Sequence, residues 1–350
     1  MTEIRKRSQN IQKVPGRKLY LLSGLAIAII ILLIWLFPFV MSHSSDDVLI
    51  RIPKNASREM VTDSLSKYYG SKFAGKVMAL SRFPGNDPAK RYGSYLIPKG
   101  SNPISIARRI THGAQTPVTI TINGFRSLDN LTGRISAKLD FPADSLRTLL
   151  ADPEALKPYG LTPSQALALF VDDSYELYWT SSPAEVIKKI GSNYLSIWNA
   201  KRQKQASELG LSPAEVMTVC SIVDEETNAK EEKGAIGRLY INRLKKGMKL
   251  QADPTVRFAL NDFTIRRVKG EHLKADSPYN TYRYPGLPPG PIRTTGKTTI
   301  DLLLDSAPND YLFMCAKEDF SGTHNFASTY AEHQENARKY QKALDVRGIK

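Results

Sequence analysis

The sequence predicts an α+β protein held to a membrane by a single N-terminal helix. Three observations predict it. An uncharged apolar run covers 19–40. Short alternating stretches follow it, each bounded by Pro and Gly turns. Helical periodicity then dominates, with starts in which Ser or Thr precedes Pro at Pro163, Pro183 and Pro213.

The apolar run reads LYLLSGLAIAIIILLIWLFPFV. At the helical rise it spans roughly 30 Å of hydrocarbon. Arg5, Lys6, Arg7, Lys13, Arg17 and Lys18 precede it, and Asp46 and Asp47 follow it. The positive-inside bias therefore places a basic tail, 1–18, in the cytoplasm and everything after 41 outside. Trp35 and Phe39 stand where interfacial aromatics would. A cleaved signal peptide is the alternative. The run is long for a signal core and no small-x-small cleavage pattern follows it, which favours an uncleaved single-pass anchor.

VLIRIP (48–53) alternates as a strand does, and Ser57 is placed to cap a helix over KNASREMVTDSLSKYY. GSYLIPKGSNPISIARRITHG repeats that layout as strand, turn at Pro98–Gly100, cap at Asn102 and helix from Pro103. PVTITING (117–124) adds a strand. The expected organisation is a small α+β subdomain over 41–125, a helical connecting region over 126–205 and an α+β domain over 206–350 that carries a cluster of acids. VDDSYELYW, dense in acids and aromatics, lies inside the connecting region.

The net charge is +15, from 49 Lys and Arg against 34 Asp and Glu. Such a surface favours polyanions. With no zinc-finger, RNP or P-loop pattern, nucleic acid is not the leading partner. Cys220 and Cys315 fit no metal spacing, and Cys220, on an apolar helix, reads as a buried thiol more readily than as half of a disulfide. His272, His324 and His333 accompany neither a G-x-S-x-G elbow nor an H-E-x-x-H pair.

The segment LSPAEVMTVCSIVDEET carries a capping box at Ser212 and Glu215 and ends in three acids. At about 100° per residue, Val216, Val219, Ile222 and Val223 share one face. Glu226 continues that face, Asp224 falls on its edge and Glu225 points toward water. A carboxyl on the apolar side loses hydration and gains pKa, as a general acid requires. Pairing with an Arg, or capping a neighbouring helix, is an equally good account of Glu226 on this geometry alone. The loops KLQADPTVRFAL and SPYNTYRYPGLPPGPI set tyrosines among amides and hydroxyls, which suits sugar rings. A Pro-rich loop packed on a core would look the same.

Four blocks, CSIVDEET, LYINRLKKGMKLQADPTVRFAL, YNTYRYPGLPPGPI and GTHNFASTYAEH, together resemble the YceG-like, or MltG, family of endolytic murein transglycosylases. The family pattern resembles A-S-I-V-E-K-E-T. Its catalytic glutamate, the second one, falls on Glu226, while Asp224 and Cys220 depart from the pattern. The resemblance implies a LysM-like subdomain after the anchor. It implies cleavage of the β-1,4 bond between N-acetylmuramic acid and N-acetylglucosamine without water, leaving a 1,6-anhydro end. Glu226 would act as acid and then base, and no cofactor is implied. Asn242, Gln251, Asp253, Thr255, Tyr279, Asn280 and Tyr282 are the candidate substrate contacts. Implied partners are peptidoglycan strands and peptidoglycan synthases (penicillin-binding proteins) at the bacterial inner membrane. A non-catalytic wall-binding anchor and a muramidase that uses water are the competing readings.

Overall fold

The computed structural model describes residues 16–348 apart from 83, 84 and 86. The basic tail expected over 1–18 lies, save for the helical backbone of 16–18, outside the described residues. The chain is a mixed α+β protein that divides into two compact units, residues 1–116 and 117–350.

Helix α1 (Gly16–Met41) forms where the apolar run predicts it. Among the described residues it is the one helix long and apolar enough to cross a membrane, over Tyr20–Met41. The rest of the first unit comprises β1 (Val48–Ile52), α2 (Arg58–Tyr69), α3 (Ser71–Leu80), β2 (Gly93–Ile97) and α4 (Pro103–Thr111). Strands β1 and β2 pair antiparallel, from Val48 opposite Ile97 to Ile52 opposite Gly93. Alternation buries Ile50 and Ile52 against Leu65, Val77, Ile106 and Ile110. The expected caps form: Ser57 accepts from the Met60 amide and Asn102 from the Ser105 amide. The Lys76 ammonium donates to the Pro38 carbonyl and the Ser42 hydroxyl, which ties α3 to the end of α1.

The second unit opens with β3 (Val118–Ile122). Small helices follow: α5 (Leu128–Ser136), α6 (Ala143–Leu150), α7 (Pro153–Leu156) and α8 (Ala166–Leu169). Next come β4 (Asp173–Leu177), α9 (Pro183–Ile197), α10 (Ala200–Leu209), α11 (Pro213–Glu226) and α12 (Lys230–Lys245). The last elements are α13 (Asp253–Ala259), α14 (Lys297–Leu304), β5 (Phe313–Ala316), β6 (His324–Ala327) and α15 (Tyr330–Val346).

Two expectations are corrected here. The strand at 117–124 belongs to the second unit, not to the small subdomain, because β3 pairs antiparallel with β4 from Val118 opposite Leu177 to Ile122 opposite Asp173. The stretch read as part of a helical region is that partner strand. Its period-2 burial, with Tyr175 and Leu177 inside and Ser174 and Glu176 outside, matches Ile120 and Ile122 of β3. Periodicity identifies a strand but not its partner, and here the pairing closes over about fifty residues that hold helices α5 to α8.

Helix α11 is the central element. Every side chain from Ala214 to Val223 except Glu215 is buried, and its capping box is formed. A buried Ser221 hydroxyl accepts from the Ile292 amide and so holds the Pro-rich loop against α11. Helix α12 approaches α14 closely because position 234 is Gly. A Cβ there would lie 2.6 Å from the Leu302 carbonyl oxygen. The β5–β6 hairpin pairs Phe313 opposite Ala327 and packs under α15 through Phe313, Tyr330 and His333. Cys220 and Cys315 are both free thiols.

Candidate active site

Glu226 is the last residue of α11, at the point where the chain turns extended at Thr227. The Tyr240 hydroxyl on α12 donates to Glu226 Oε1 at 2.7 Å. Beside this pair lies a cleft of about 390 Å³, lined among others by Gln251, Asp253, Arg243 and Arg257. The Tyr282 hydroxyl donates to Asp253 Oδ1 at 2.6 Å and fixes that carboxylate at the edge of the cleft. Burial is the main cause that raises the Glu226 carboxyl above its ordinary pKa, and the Asp253 charge pushes the same way. The Tyr240 hydrogen bond, His324 and Arg257 oppose it without cancelling it. The result is a carboxyl that keeps its proton further toward neutral pH than a solvated one.

The neighbouring acids have different work. Asp224 accepts from Lys233 Nζ and from the hydroxyls of Thr295 and Thr299, and its side chain is 8% exposed. Glu225, expected to face water, is instead 7% exposed and bridges Arg126 Nε at 2.8 Å and Arg293 at 3.0 Å. The helical wheel placed Glu225 on the side away from the α11 core, but the segments that carry Arg126 and Arg293 fold over that side. Thus two acids of the cluster lock loops onto α11, and Glu225 and Glu226 both line the cleft, Glu226 with only Tyr240 as its hydrogen-bond partner among the described residues. A further buried acid, Glu232, accepts from Thr227 at 2.5 Å and from the His324 amide and ring nitrogen at 2.9 Å each. It pins β6 to the turn after Glu226. A larger cavity of about 680 Å³ between α12 and α14 does not include Glu226. Two of its carboxylates, Asp301 and Asp305, are committed to Arg202 and Lys201.

The model of the YceG-like family matches residues 50–339. The chain belongs to the YceG-like family. An endolytic murein transglycosylase of Bacillus subtilis is 34% identical over 163 residues, 46% of this chain and 43% of that protein. One from Streptococcus pneumoniae serotype 2 is 25% identical over 134 residues, 37% of this chain and 24% of that protein. The matches therefore span less than half the length of these relatives. A crystal structure of a YceG-like protein from Listeria monocytogenes superposes with a TM-score of 0.54 at 25% identity, covering 83% of this chain and 98% of the other.

In this YceG-like chain the candidate contacts separate into two sets. Gln251 and Asp253 line the Glu226 cleft, and Tyr282 reaches it through Asp253. Gln251 does so from a left-handed backbone conformation with φ 51°. The other four build loops. Asn242 donates to the Asn309 carbonyl at 2.8 Å and the Tyr311 carbonyl at 3.1 Å. Thr255 is fully buried and bonds the Ala252 carbonyl and the Thr281 hydroxyl. Asn280, also fully buried, donates to the carbonyls of Leu273 and Ala275. Tyr279 packs on Phe258 with ring centroids 4.6 Å apart. Amide and hydroxyl side chains serve sugars and loop carbonyls equally well, so residue type alone does not separate the two uses.

Tyr240, Arg243 and Arg257 escaped the sequence reading. Tyr240 and Arg243 are three apart on α12, hence on one face, which was the available signal. Arg243 is buried, and its guanidinium holds the carbonyls of Leu250 at 2.8 Å and Leu312 at 2.6 Å. Those bonds seat the loop before Asp253 and the residue that leads into β5, whose Met314 lines the cleft.

Proposed function

We propose that this YceG-like protein is an endolytic peptidoglycan transglycosylase. It cuts the β-1,4 bond between N-acetylmuramic acid and N-acetylglucosamine within glycan strands and leaves 1,6-anhydro ends. The observation that carries this reading is the Glu226 carboxyl, desolvated yet open to a cleft and bonded to Tyr240. The protonated carboxyl donates to the glycosidic oxygen, and oxocarbenium character develops at the muramic C1. The Glu226 carboxylate then takes the proton of the sugar's own C6 hydroxyl as that oxygen bonds to C1. The proton returns to Glu226, so no water is consumed. The Tyr240 hydroxyl steadies the carboxylate formed between the two transfers. Helix α1 supports an uncleaved anchor, N-terminus in the cytoplasm and catalytic part outside. That arrangement confines cutting to strands near the bilayer, where peptidoglycan synthases act. The small subdomain after the anchor is the LysM-like module of this reading.

A muramidase is the second reading, because Asp253 shares the cleft with Glu226 and could direct a water. Mass spectrometry of products from purified glycan strands decides between them. Anhydro ends, one water lighter than reducing ends, are expected; reducing ends alone would sink the proposal in favour of hydrolysis.

Activity should decline as pH rises through the raised pKa of Glu226, since the acid form is the one that starts the reaction. Tyr240→Phe deletes the hydrogen bond that favours the carboxylate. Its alkaline limb should therefore move to higher pH, with a maximal rate about tenfold lower. A pH–rate profile checks both statements, and an unmoved limb would detach Tyr240 from the titration.

A further inference from the structure

Two guanidiniums, Arg243 and Arg257, line the cleft beside Glu226. Arg257 sits on α13 one turn after Asp253 and lines the cleft with Arg243. Among the described residues its buried Nε has no hydrogen-bond partner. One terminal nitrogen reaches the Arg266 carbonyl at 3.3 Å, near the limit of a hydrogen bond. Among the described residues no carboxylate lies within ion-pair distance of it. Among the other partly buried arginines of this unit, Arg202 pairs with Asp301 and Arg293 with Glu225, while Arg238 has the Ser306 hydroxyl and carbonyl as acceptors. Arg243 is also without a carboxylate, but carbonyls occupy it. Asp253 already accepts from Tyr282. A buried guanidinium donor left unpaired costs free energy, which a ligand that draws the side chain into the cleft would relieve. Nε and a terminal N–H form a fork shaped for a carboxylate.

We propose that Arg257 is an anion-binding residue of this cleft and that its ligand is a carboxylate carried by the lactyl substituent of the muramic residue being cut. The existence of an anion site stands on the geometry alone, while the identity of its ligand rests on the transglycosylase reading. The muramic ring carries its lactyl ether at C3, and the peptide stem continues from that group. Either the stem's free carboxylate or, on a strand without a stem, the lactyl carboxylate itself supplies the charge. Arg257 then makes the enzyme sensitive to whether the substituent is ionised or amidated, and it helps to place C1 against Glu226. Lys at this position keeps the charge and loses the fork.

The test is equilibrium binding to full-length protein in detergent, in a Glu226→Gln background so that strands stay whole. Two matched pairs serve as ligands: strands with free or chemically amidated stem carboxyls, and amidase-stripped strands with free or amidated lactyl carboxyls. The chain with Arg257 should bind the charged member of one pair about tenfold more tightly, with the preference shrinking at high ionic strength. Arg257→Gln should bring that ratio to near one, and Arg257→Lys should retain part of it. Collapse on the first pair assigns the stem carboxylate, and collapse on the second assigns the lactyl group. A ratio that Arg257→Gln leaves unchanged in both pairs overturns the proposal, as does the absence of any preference in the chain that keeps Arg257. A ratio is insensitive to the folded fraction, so loss of protein does not imitate the result. Because nothing is cut, failure of the cutting chemistry would strike the transglycosylase reading and leave this measurement decisive.

Discussion

Glu226→Gln should lower the release of anhydro-ended fragments by about a thousandfold, within the range expected for loss of a general acid. Gln fills the same space and its oxygen can still accept from Tyr240, so the fold and the cleft persist while the transferable proton is gone. Stability should move the other way. The folded state raises the pKa of this carboxyl, so folding favours the protonated form. The penalty for ionising it is absent below the ordinary carboxylate range, grows as pH climbs through the raised value, and is complete above it. At pH 8 the Gln variant should therefore melt above the wild type, and at pH 4 the two should converge. Thermal scans at both values, beside product analysis, test the claim from two sides. Anhydro ends formed at the native rate by the variant would remove Glu226 from the chemistry. A variant that melts lower at pH 8 would remove the desolvation on which the raised pKa depends.

Asp224→Ala is expected to be the most damaging change to the fold. Its carboxylate receives Lys233, Thr295 and Thr299, and Lys233 is itself only 15% exposed. Truncation leaves a buried ammonium without its counter-charge, which costs about 3–5 kcal/mol. At roughly 2–4 °C per kcal/mol for a unit of this size, the melting temperature should fall by about 10 °C. Combining it with Lys233→Met removes the stranded charge and should recover most of that loss. A single variant that melts within a degree of wild type would show that the cluster carries no net stability. This role also bears on the departure from the family pattern at 224: a shortened acid still reaches all three partners, because α14 and the Thr294–Thr295 segment come to it.

Legibility followed the range of the interactions involved. Ser57, Asn102, Ser212 and Glu215 were readable as caps because a cap is decided within four residues. The direction of Glu226 was readable because helical geometry carries the apolar face of Val219, Ile222 and Val223 forward to it. Glu225 was misread by the same wheel, since the arginines that cover it stand 99 and 68 positions away in the chain. Thr255 and Asn280 looked like sugar contacts because their chemistry suits either use, and their burial depends on how the 250–290 loops close on one another.

By itself the amino-acid sequence determined the apolar N-terminal helix, most helix starts, the alternation within each strand and the face of α11 on which Glu226 lies. All of these are written in spacings of two to four residues or in one continuous apolar run. Tertiary structure alone decided that β3 pairs with β4, that Asp224 and Glu225 bind loops, that Tyr240 meets Glu226, and that Arg257 forms no ion pair among the described residues. Each depends on segments far apart in the chain meeting around one core, and a linear pattern carries no record of which segments those will be.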